Sequence, residues 1–255
     1  VTDDTVDTAD YVVIGSGAAG ATAALTLAQA GYSVIVLEEG PWVRTKEFGA
    51  DVFPAMKQMY RDLAAQVTLG RATYPILQGK CVGGSTTINS AIALRAPDKV
   101  VDRWSTAFGL KDTITPAALA PHFDALEKSL VVTAVPDDTA GTYDALFADA
   151  AKQLGIKAHK IQRYDGGCEA SASCITGCRN GKKLGMNITH VPQSLSHGAR
   201  MYTSVKAIRV MSKWGRATGV EGRFQNDAGA TLTAHARRGV ILAASVVQSP
   251  GILSR

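Results

Sequence analysis

The chain has 255 residues, of which 46% are hydrophobic and 19% charged, a composition typical of a globular protein with one large domain or two small ones. Its net charge of +5 is spread along the sequence and its aromatic content is only 6%, which argues against a nucleic-acid-binding surface of clustered basic and aromatic side chains. The apolar runs are too short to span a bilayer and the acidic start is unlike a secretory signal peptide, so we expect a cytoplasmic protein without a transmembrane segment.

The first forty residues predict a strand–helix–strand unit. The polar, acidic residues 1–10 predict a frayed lead-in. A β-rich run at 11–14 predicts a strand, and the strong helix formers at 21–30 predict a helix that ends at Gly31. Residues 33–37 predict a second, buried strand. This is the order of a βαβ unit, in which a helix connects two parallel strands.

The rest of the chain is first helical and then strand-like. Helices are predicted at 50–66, 98–108, 116–129 and 143–154. Residues 156–198 show little periodicity and carry three of the four cysteines. Alternation of apolar and polar residues then predicts an antiparallel meander followed by one more buried strand, at 201–210, 217–224, 230–236 and 239–243. The order of elements predicts the α/β class.

The hexapeptide Gly-Ser-Gly-Ala-Ala-Gly lies between the first strand and the first helix and has the GxGxxG spacing of a dinucleotide-binding turn. Gly15 permits the tight turn, Gly17 lets the backbone approach a pyrophosphate, and Gly20 lets the helix pack on the sheet. Ala18 and Ala19 open the helix, whose N-terminal N–H groups would face the phosphates. The alternative is a βαβ turn that binds nothing.

An acidic residue ends the second predicted strand, where such turns place the group that binds ribose. Glu38 is expected to accept hydrogen bonds from the ribose hydroxyls of an adenosine, and its charge disfavours the 2′-phosphate of NADP. Glu39 is the other candidate, one residue further along. This unit alone does not separate FAD from NAD.

A second glycine cluster resembles a known family. Residues 78–89, Gln-Gly-Lys-Cys-Val-Gly-Gly-Ser-Thr-Thr-Ile-Asn, resemble the signature of the glucose–methanol–choline (GMC) oxidoreductases. Residues 119–131 resemble the segment that follows in those proteins. The Cys-rich residues 174–183 resemble a turn of the long-chain alcohol oxidase and sterol oxidase-like branch, and 240–250 resemble the second family signature. The resemblance therefore covers nearly the whole chain, in the order of the family.

The resemblance implies a Rossmann-like FAD-binding domain formed by 1–110 and 199–255, with a partial substrate region at 111–198 inserted. By position, six residues that follow the strand–helix–strand unit would contact FAD: these are Gly83, Gly84, Ser85, Asn89, Val205 and Ala243. The first three would line the flavin and pyrophosphate, the asparagine would hydrogen-bond near the ring, and the valine backbone would contact the adenine. Read alone, the glycine pair could equally be an ordinary turn and the asparagine an ordinary cap.

The function that the resemblance implies is oxidation of the CH–OH group of an alcohol by hydride transfer to FAD, with an apolar alcohol favoured by the long-chain branch. In family members the catalytic histidine lies near the C-terminus of a chain about twice this long, so this chain is expected to stop before the catalytic residues. A second chain would then supply the C-terminal half, or the chain is a fragment. None of the histidines matches the catalytic position; they are His122, His159, His190, His197 and His235.

Two other functions remain open, and the sequence opposes a third. A hydroxynitrile lyase on the same scaffold would keep FAD without redox use, and a non-enzymatic subunit would hold FAD or nothing. An NAD-dependent dehydrogenase is opposed by the second glycine cluster.

The cysteines and one serine leave two further questions. Cys168, Cys174 and Cys178 are spaced by six and then four residues. They could ligate an iron–sulfur cluster, or be structural or free cysteines in a loop; three ligands leave one iron site unprovided by this chain. Cys81 is expected to serve packing. Ser245 stands where the family usually has glycine, so we expect the approach of the backbone to a ligand to be altered there.

Overall fold

Two structural units make up the computed structural model of the chain, which describes residues 3–110, 113–226 and 229–254. The larger unit consists of the described parts of 1–90, 172–181 and 185–255. The smaller unit consists of the described parts of 91–171 and 182–184. Within the described residues, no helix has the length and apolar character needed to cross a membrane.

The helices and strands follow in chain order. The strands are β1 (Thr5–Ile14), β2 (Val34–Leu37), β3 (Val132–Ala134), β4 (Gln162–Tyr164), β5 (Arg200–Tyr202), β6 (Val205–Lys213), β7 (Arg216–Phe224) and β8 (Thr231–Leu242). The helices are α1 (Ala18–Gln29), α2 (Val52–Met59), α3 (Asp98–Ala107), α4 (Pro116–Ser129), α5 (Thr142–Gln153), α6 (His190–Ser196) and α7 (Ser245–Leu253).

A six-stranded mixed sheet forms the centre of the larger unit, in the order β5-β2-β1-β8-β7-β6. The strands β5, β2, β1 and β8 run parallel to one another, while β7 is antiparallel to both β8 and β6. This confirms the predicted α/β class, with a Rossmann-like parallel sheet extended by an antiparallel meander. In such sheets, ligands bind outside the carboxyl ends of the parallel strands.

The parallel strands bury side chains on both faces of the sheet. Successive side chains of a strand point to opposite faces, so each strand contributes to two clusters. Val13, Val34 and Val36 pack in one cluster with alanines of α1. Ile14 and Leu37 pack on the opposite face, in a cluster that includes residues of the meander. Burying an aliphatic side chain of this size contributes roughly 1.5–3 kcal/mol, so the two clusters fix the strand ends from which the glycine turn leaves. Gly31, in the left-handed region at φ +83°, follows α1 as predicted.

The expected lead-in at 1–10 is wrong for the described residues, since β1 already begins at Thr5 and pairs with β8 from Leu232 onward. Its acidic side chains have partners far away in the chain. The guanidinium of Arg200 donates to both carboxylate oxygens of Asp7 at 2.9 Å, and the Thr231 amide donates to Asp4 at 2.8 Å. This strand could not be recognised in a polar segment, because the strand that it pairs with, β8, comes from the other end of the sequence.

Four other predicted elements have different bounds. The strand expected at 201–210 is two strands, β5 and β6, separated by a turn with Ser204 at φ +56°. The strands expected at 230–236 and 239–243 are the single long strand β8. The helix expected at 50–66 ends at Met59. The sequence Asn-Asp-Ala-Gly at 226–229 also predicts a turn between two strands of the meander, and this segment lies partly outside the described residues. The helices at 98–108, 116–129 and 143–154 are confirmed within two residues at each end.

The smaller unit combines α3, α4 and α5 with a two-stranded sheet of β3 and β4. Its helix α4 begins with Thr115, whose hydroxyl accepts a hydrogen bond from the Ala118 amide at 3.1 Å, and with a proline at the first position. The unit begins at 91, where the Ala93 amide donates to the Gln162 carbonyl and the Ala91 carbonyl accepts from the Tyr164 amide. The expected division into an FAD-binding domain at 1–110 and 199–255 and a substrate region at 111–198 stays a prediction.

The first residue of α6, His190, is buried in the larger unit, with its Nδ1 3.2 Å from the Thr189 hydroxyl. Burial lowers the pKa of this imidazole. The unfolded chain therefore takes up a proton below pH about 6.5 while the folded chain does not, so the free energy of unfolding should fall as the pH drops below that value. Urea unfolding midpoints at pH 5 and 7.5 test this.

The His190→Gln variant should show a smaller difference between the two pH values than the parent chain. His197 lies exposed after the last residue of the same helix, so His197→Gln is the matched control and should keep the parent's pH dependence. If His190→Gln kept the pH dependence of the parent chain, His190 would not be the source of the loss of stability at low pH.

Candidate nucleotide-binding site

A cavity of about 860 Å³ lies at the carboxyl ends of β1, β2 and β8 in the larger unit. Its volume is in the upper part of the range of about 300–1,000 Å³ that is usual for small-molecule and cofactor sites. Most of the residues predicted to contact a cofactor line it: Gly15, Gly17, Ala18, Ala19, Glu38, Gly84, Ser85, Asn89, Val205 and Ala243. Gly20 and Gly83 do not. The cavity therefore brings together segments that lie near opposite ends of the sequence, such as those of Gly15 and Ala243.

The glycine turn is built by close backbone packing. Gly15 has φ +95°, and a Cβ on it would lie 2.5 Å from the Ala243 carbonyl oxygen. A Cβ on Gly20 would lie 1.9 Å from the Gly15 carbonyl oxygen, so this residue serves helix packing behind the cavity. Gly17 is different, because its Cβ would meet only the Gly84 Cα, at 3.9 Å. The absence of a side chain at Gly17 leaves open space instead of relieving a clash.

The N-terminus of α1 points at this open space. Its N-cap is Gly17, which has no side chain to cap the helix, and the first amides of any α-helix lack an intrahelical acceptor. Ala18 and Ala19 line the cavity beside it. Such an end carries partial positive charge and suits a phosphate.

The second glycine pair has one residue in the cavity wall and one behind it. Gly84, at φ +53°, faces the glycine turn, and a Cβ on it would lie 3.0 Å from the Gly17 Cα. Gly83, at φ +88°, packs inward, where a Cβ would lie 2.4 Å from the Thr87 hydroxyl. The Gly83 amide donates to the Ser16 hydroxyl at 3.1 Å. Ser16 thus joins the two glycine loops, a role that the sequence analysis missed.

Glu38 is buried and holds the turn together. One carboxylate oxygen accepts from the Ser16 amide at 3.0 Å and the Ser16 hydroxyl at 2.6 Å, and the other accepts from the Gly40 amide at 2.8 Å. Burial raises the pKa of this carboxyl, against the lowering effect of the bonds from Ser16 and Gly40. The residue predicted to bind ribose also lines the cavity, so it could serve both purposes.

A partly buried ion pair flanks Glu38. The Arg61 guanidinium donates to Glu39 at 2.6 Å, and the Lys80 ammonium lies 3.9 Å from the same carboxylate. Burial would raise the pKa of Glu39, but the hydrogen bond and charge of Arg61 hold it below its ordinary value. The Arg61 Nε is buried without a hydrogen-bond partner among the described residues. Arg61 lines the cavity and carried no motif signal in the sequence.

The cysteines are divided between the two units. Cys168 belongs to the smaller unit, while Cys174 and Cys178 lie in the larger one, and none of the four cysteines forms a disulfide. Cys81 is buried, as expected for a packing residue. Among the described residues, no group of three or more His, Cys, Asp or Glu side chains could hold a metal ion. The iron–sulfur hypothesis therefore stays a prediction without structural support.

The fold and the cavity together define a dinucleotide-binding α/β protein. The sequence model of the GMC oxidoreductases matches residues 9–255. The chain belongs to the GMC oxidoreductase family, which confirms the resemblance found in the sequence and, with it, FAD as the cofactor of the family.

Similar proteins come from bacteria, plants and fungi. An uncharacterised GMC-type oxidoreductase of Mycobacterium tuberculosis is 37% identical over 98% of this chain and 39% of its own length. A long-chain-alcohol oxidase of Arabidopsis thaliana is 28% identical over 78% of this chain and 26% of its own length. A formate oxidase structure from Aspergillus oryzae superposes with a TM-score of 0.71 at 19% identity, over 99% of this chain and 48% of that one. The chain thus spans less than half the length of these proteins.

Proposed function

We propose that the larger unit binds FAD and that the chain is the FAD-binding part of an enzyme that oxidises the CH–OH group of an alcohol. The observation that carries this proposal is the cavity at the N-terminus of α1, whose wall is formed there by the adjoining backbones of Gly17 and Gly84. Because neither residue has a side chain, a flat, anionic group can approach this backbone wall and the helix amides without obstruction. Family membership narrows that group to FAD.

The residues around the cavity fit the parts of FAD. The amides of α1 at Ala18 and Ala19 would hold the pyrophosphate, and Glu38 or Glu39 would accept from the ribose hydroxyls. The orphaned Arg61 Nε offers a donor at the same end. On this assignment the backbone of Val205 contacts the adenine.

At the other end, Asn89 would hydrogen-bond near the flavin ring, with Gly84 and Ser85 beside it. When bound, FAD supplies the acceptor for the hydride of the substrate carbon. The part of the protein described here would orient that ring and exclude water from one side of it, because the glycine loops pack directly against the cavity.

The group that takes up the hydroxyl proton is proposed to lie in polypeptide that this chain does not contain. All five histidines fall in the described residues, and none of them lines the cavity. The relatives are more than twice as long as the part that matches. A C-terminal half, in the same or a second chain, would bring the base. The similarity to a long-chain-alcohol oxidase favours an apolar alcohol as the substrate of the whole protein.

Titration of the purified chain with FAD, followed by flavin fluorescence, tests cofactor binding. We expect saturable binding that Gly17→Ala weakens and that NAD does not compete away. Binding that is equal in the parent chain and in Gly17→Ala would contradict the site.

Anaerobic addition of alcohols to the loaded protein tests the chemistry. The isolated chain should keep its flavin oxidised, whereas a version extended to the length of the relatives should bleach it with a long-chain alcohol. Bleaching by the isolated chain would disprove the proposal that the proton acceptor lies elsewhere. Bound flavin that no alcohol reduces in the extended protein would favour the non-redox lyase.

A further inference from the structure

A chain of side-chain hydrogen bonds runs from the cavity wall into the loop that precedes the second glycine cluster. The Ser245 hydroxyl donates to the Gln78 Oε1 at 3.2 Å, and the Gln78 Nε2 donates to the Gln66 Oε1 at 2.6 Å. The Gln66 Nε2 then donates to the Asp62 carboxylate at 2.8 Å. Ser245 and Gln78 both line the cavity, and all four residues belong to the larger unit.

The chain of bonds has a fixed direction. A carboxylate only accepts hydrogen bonds, so Asp62 requires the amide nitrogen of Gln66 to face it. The oxygen of Gln66 must then face Gln78, whose own oxygen faces Ser245. Ser245 is left as the donor that completes the series, and every member is satisfied only when the hydroxyl is present.

Both ends of this chain lie on strained backbone. Ser245 has φ +73° and Asp62 has φ +49°, followed by Leu63 at φ +56° and Ala64 at φ +61°. Left-handed conformations are unfavourable for residues with a Cβ, and they persist where surrounding contacts determine them. The side-chain series is a set of such contacts, since it joins the two strained segments to each other.

The loop held in this way forms part of the cavity wall. The Arg61 amide donates to the Gln78 carbonyl at 2.9 Å, and the Ile76 amide donates to the Gln66 carbonyl at 2.8 Å, so residues 61–78 fold back on themselves as an irregular hairpin. Arg61 and Gln78 are the two members of this hairpin that line the cavity. Displacing Gln78 would therefore displace the wall that also carries Arg61.

We propose that Ser245 is a positioning residue of the nucleotide site, which acts through Gln78 and Gln66 to hold the hairpin 61–78 in place as a cavity wall. The part of this proposal that concerns FAD rests on the proposed function; the part that concerns the hairpin does not. A serine at this left-handed position is then explained, because its hydroxyl compensates for a conformation that glycine would adopt without strain.

Amide hydrogen exchange of the ligand-free chain tests the hairpin. Ser245→Ala keeps the Cβ and loses the hydroxyl, so exchange in 61–78 should rise about fivefold, the change expected for one lost hydrogen bond. Ser245→Gly also loses the hydroxyl and should show the same local rise, with a higher melting temperature than Ser245→Ala because the strain is relieved. Exchange that is unchanged in both variants, with the fold intact, would overturn the proposal.

A polarity swap supplies a readout that a merely structural role would not move. In Gln78→Glu, the new carboxylate can only accept, so the Gln66 side chain turns its amide nitrogen toward position 78. Its oxygen then faces the Asp62 carboxylate, two acceptors oppose each other, and amide exchange in the hairpin should rise. Asp62→Asn alone should change nothing, because an amide can either donate or accept. In the double variant Gln78→Glu/Asp62→Asn the series can run in the reverse direction, so exchange should return to the parent level. A double variant that exchanges as fast as Gln78→Glu would disprove the directed series.

The FAD affinity of Ser245→Ala, measured by fluorescence titration, separates this proposal from the proposed function. Faster hairpin exchange together with an affinity about fivefold weaker supports both. Faster exchange in a chain that never binds FAD leaves the hairpin role standing and refutes the cofactor. If Ser245→Ala exchanges like the parent chain and still binds FAD tightly, the role of Ser245 is refuted and the proposed function stands.

Discussion

Replacing Gly20 by alanine should destroy the packing of the larger unit, while replacing Gly17 by alanine should spare the fold and weaken nucleotide binding. A Cβ on Gly20 would lie 1.9 Å from a backbone oxygen of Gly15, so α1 would have to move off the sheet, at a cost of about 3 kcal/mol or more. A Cβ on Gly17 would meet no atom closer than 3.9 Å. Its effect on the unfolding free energy should stay within about 0.5 kcal/mol.

The methyl group introduced by Gly17→Ala would instead fill the space through which a pyrophosphate approaches the helix amides. FAD affinity should fall at least about tenfold, or about 1.4 kcal/mol. Gly31→Ala is the matched control, since Gly31 has φ +83° but no atom within 4 Å of its Cβ position; it should cost about 1 kcal/mol of stability and no affinity. Thermal unfolding and FAD titration measure both quantities. A Gly17→Ala variant that unfolds like Gly20→Ala would contradict the distinction.

Replacing Glu38 by alanine should be the most damaging single change to the polar framework of the site. The Ser16 and Gly40 amides would be left buried without their acceptor, and each buried unsatisfied group costs about 1–3 kcal/mol. We expect the unfolding free energy to fall by about 3 kcal/mol and FAD binding to be lost. Chemical unfolding and flavin titration measure the two effects.

Two further variants sharpen this prediction. Glu47→Ala, at an exposed position, controls for the loss of a glutamate and should change stability by less than about 1 kcal/mol. Burial raises the pKa of Glu38 above its ordinary value of 4.5, so the folded chain keeps this proton to higher pH than the unfolded chain, and the free energy of unfolding should fall as the pH rises from 4.5 through the folded pKa. Glu38→Gln should remove this pH dependence. Full stability of Glu38→Ala would show that the amides find other acceptors.

The glycine turn, the helix behind it and most helices of the smaller unit could be predicted from the sequence, because local propensity and spacing determine them. The parts that could not be predicted depend on distant partners. The polar residues around Asp7 do not show the pattern of a strand, although Arg200 and β8 stabilise one there. Gly20 and Gly83 carry the same motif as Gly17 and Gly84 but pack behind the cavity wall, and only the three-dimensional contacts distinguish the two pairs.

The polar framework of the site was likewise invisible in the motifs. Ser16 occupies a variable position of the glycine motif, yet its hydroxyl connects Glu38 to the second glycine loop. Arg61 lies in a segment whose apolar pattern predicts helix, but the helix ends at Met59, Tyr60 is extended, and the left-handed residues 62–64 follow Arg61. Sequence periodicity carries no signal for three successive left-handed residues, because side-chain spacing does not report the sign of φ.

The position of β8 beside β1 has a consequence for the order in which the protein is made. Thr5 pairs with Leu232, and contacts between such distant residues form slowly because a long loop must close first. A ribosome releases β1, α1 and β2 long before β8, and the cavity residues Ala243 and Ser245 follow that last strand. A nascent chain interrupted anywhere before β8 would carry the first glycine turn without a closed site, so the cavity can take up a cofactor only after β8 and the residues that follow it have been made.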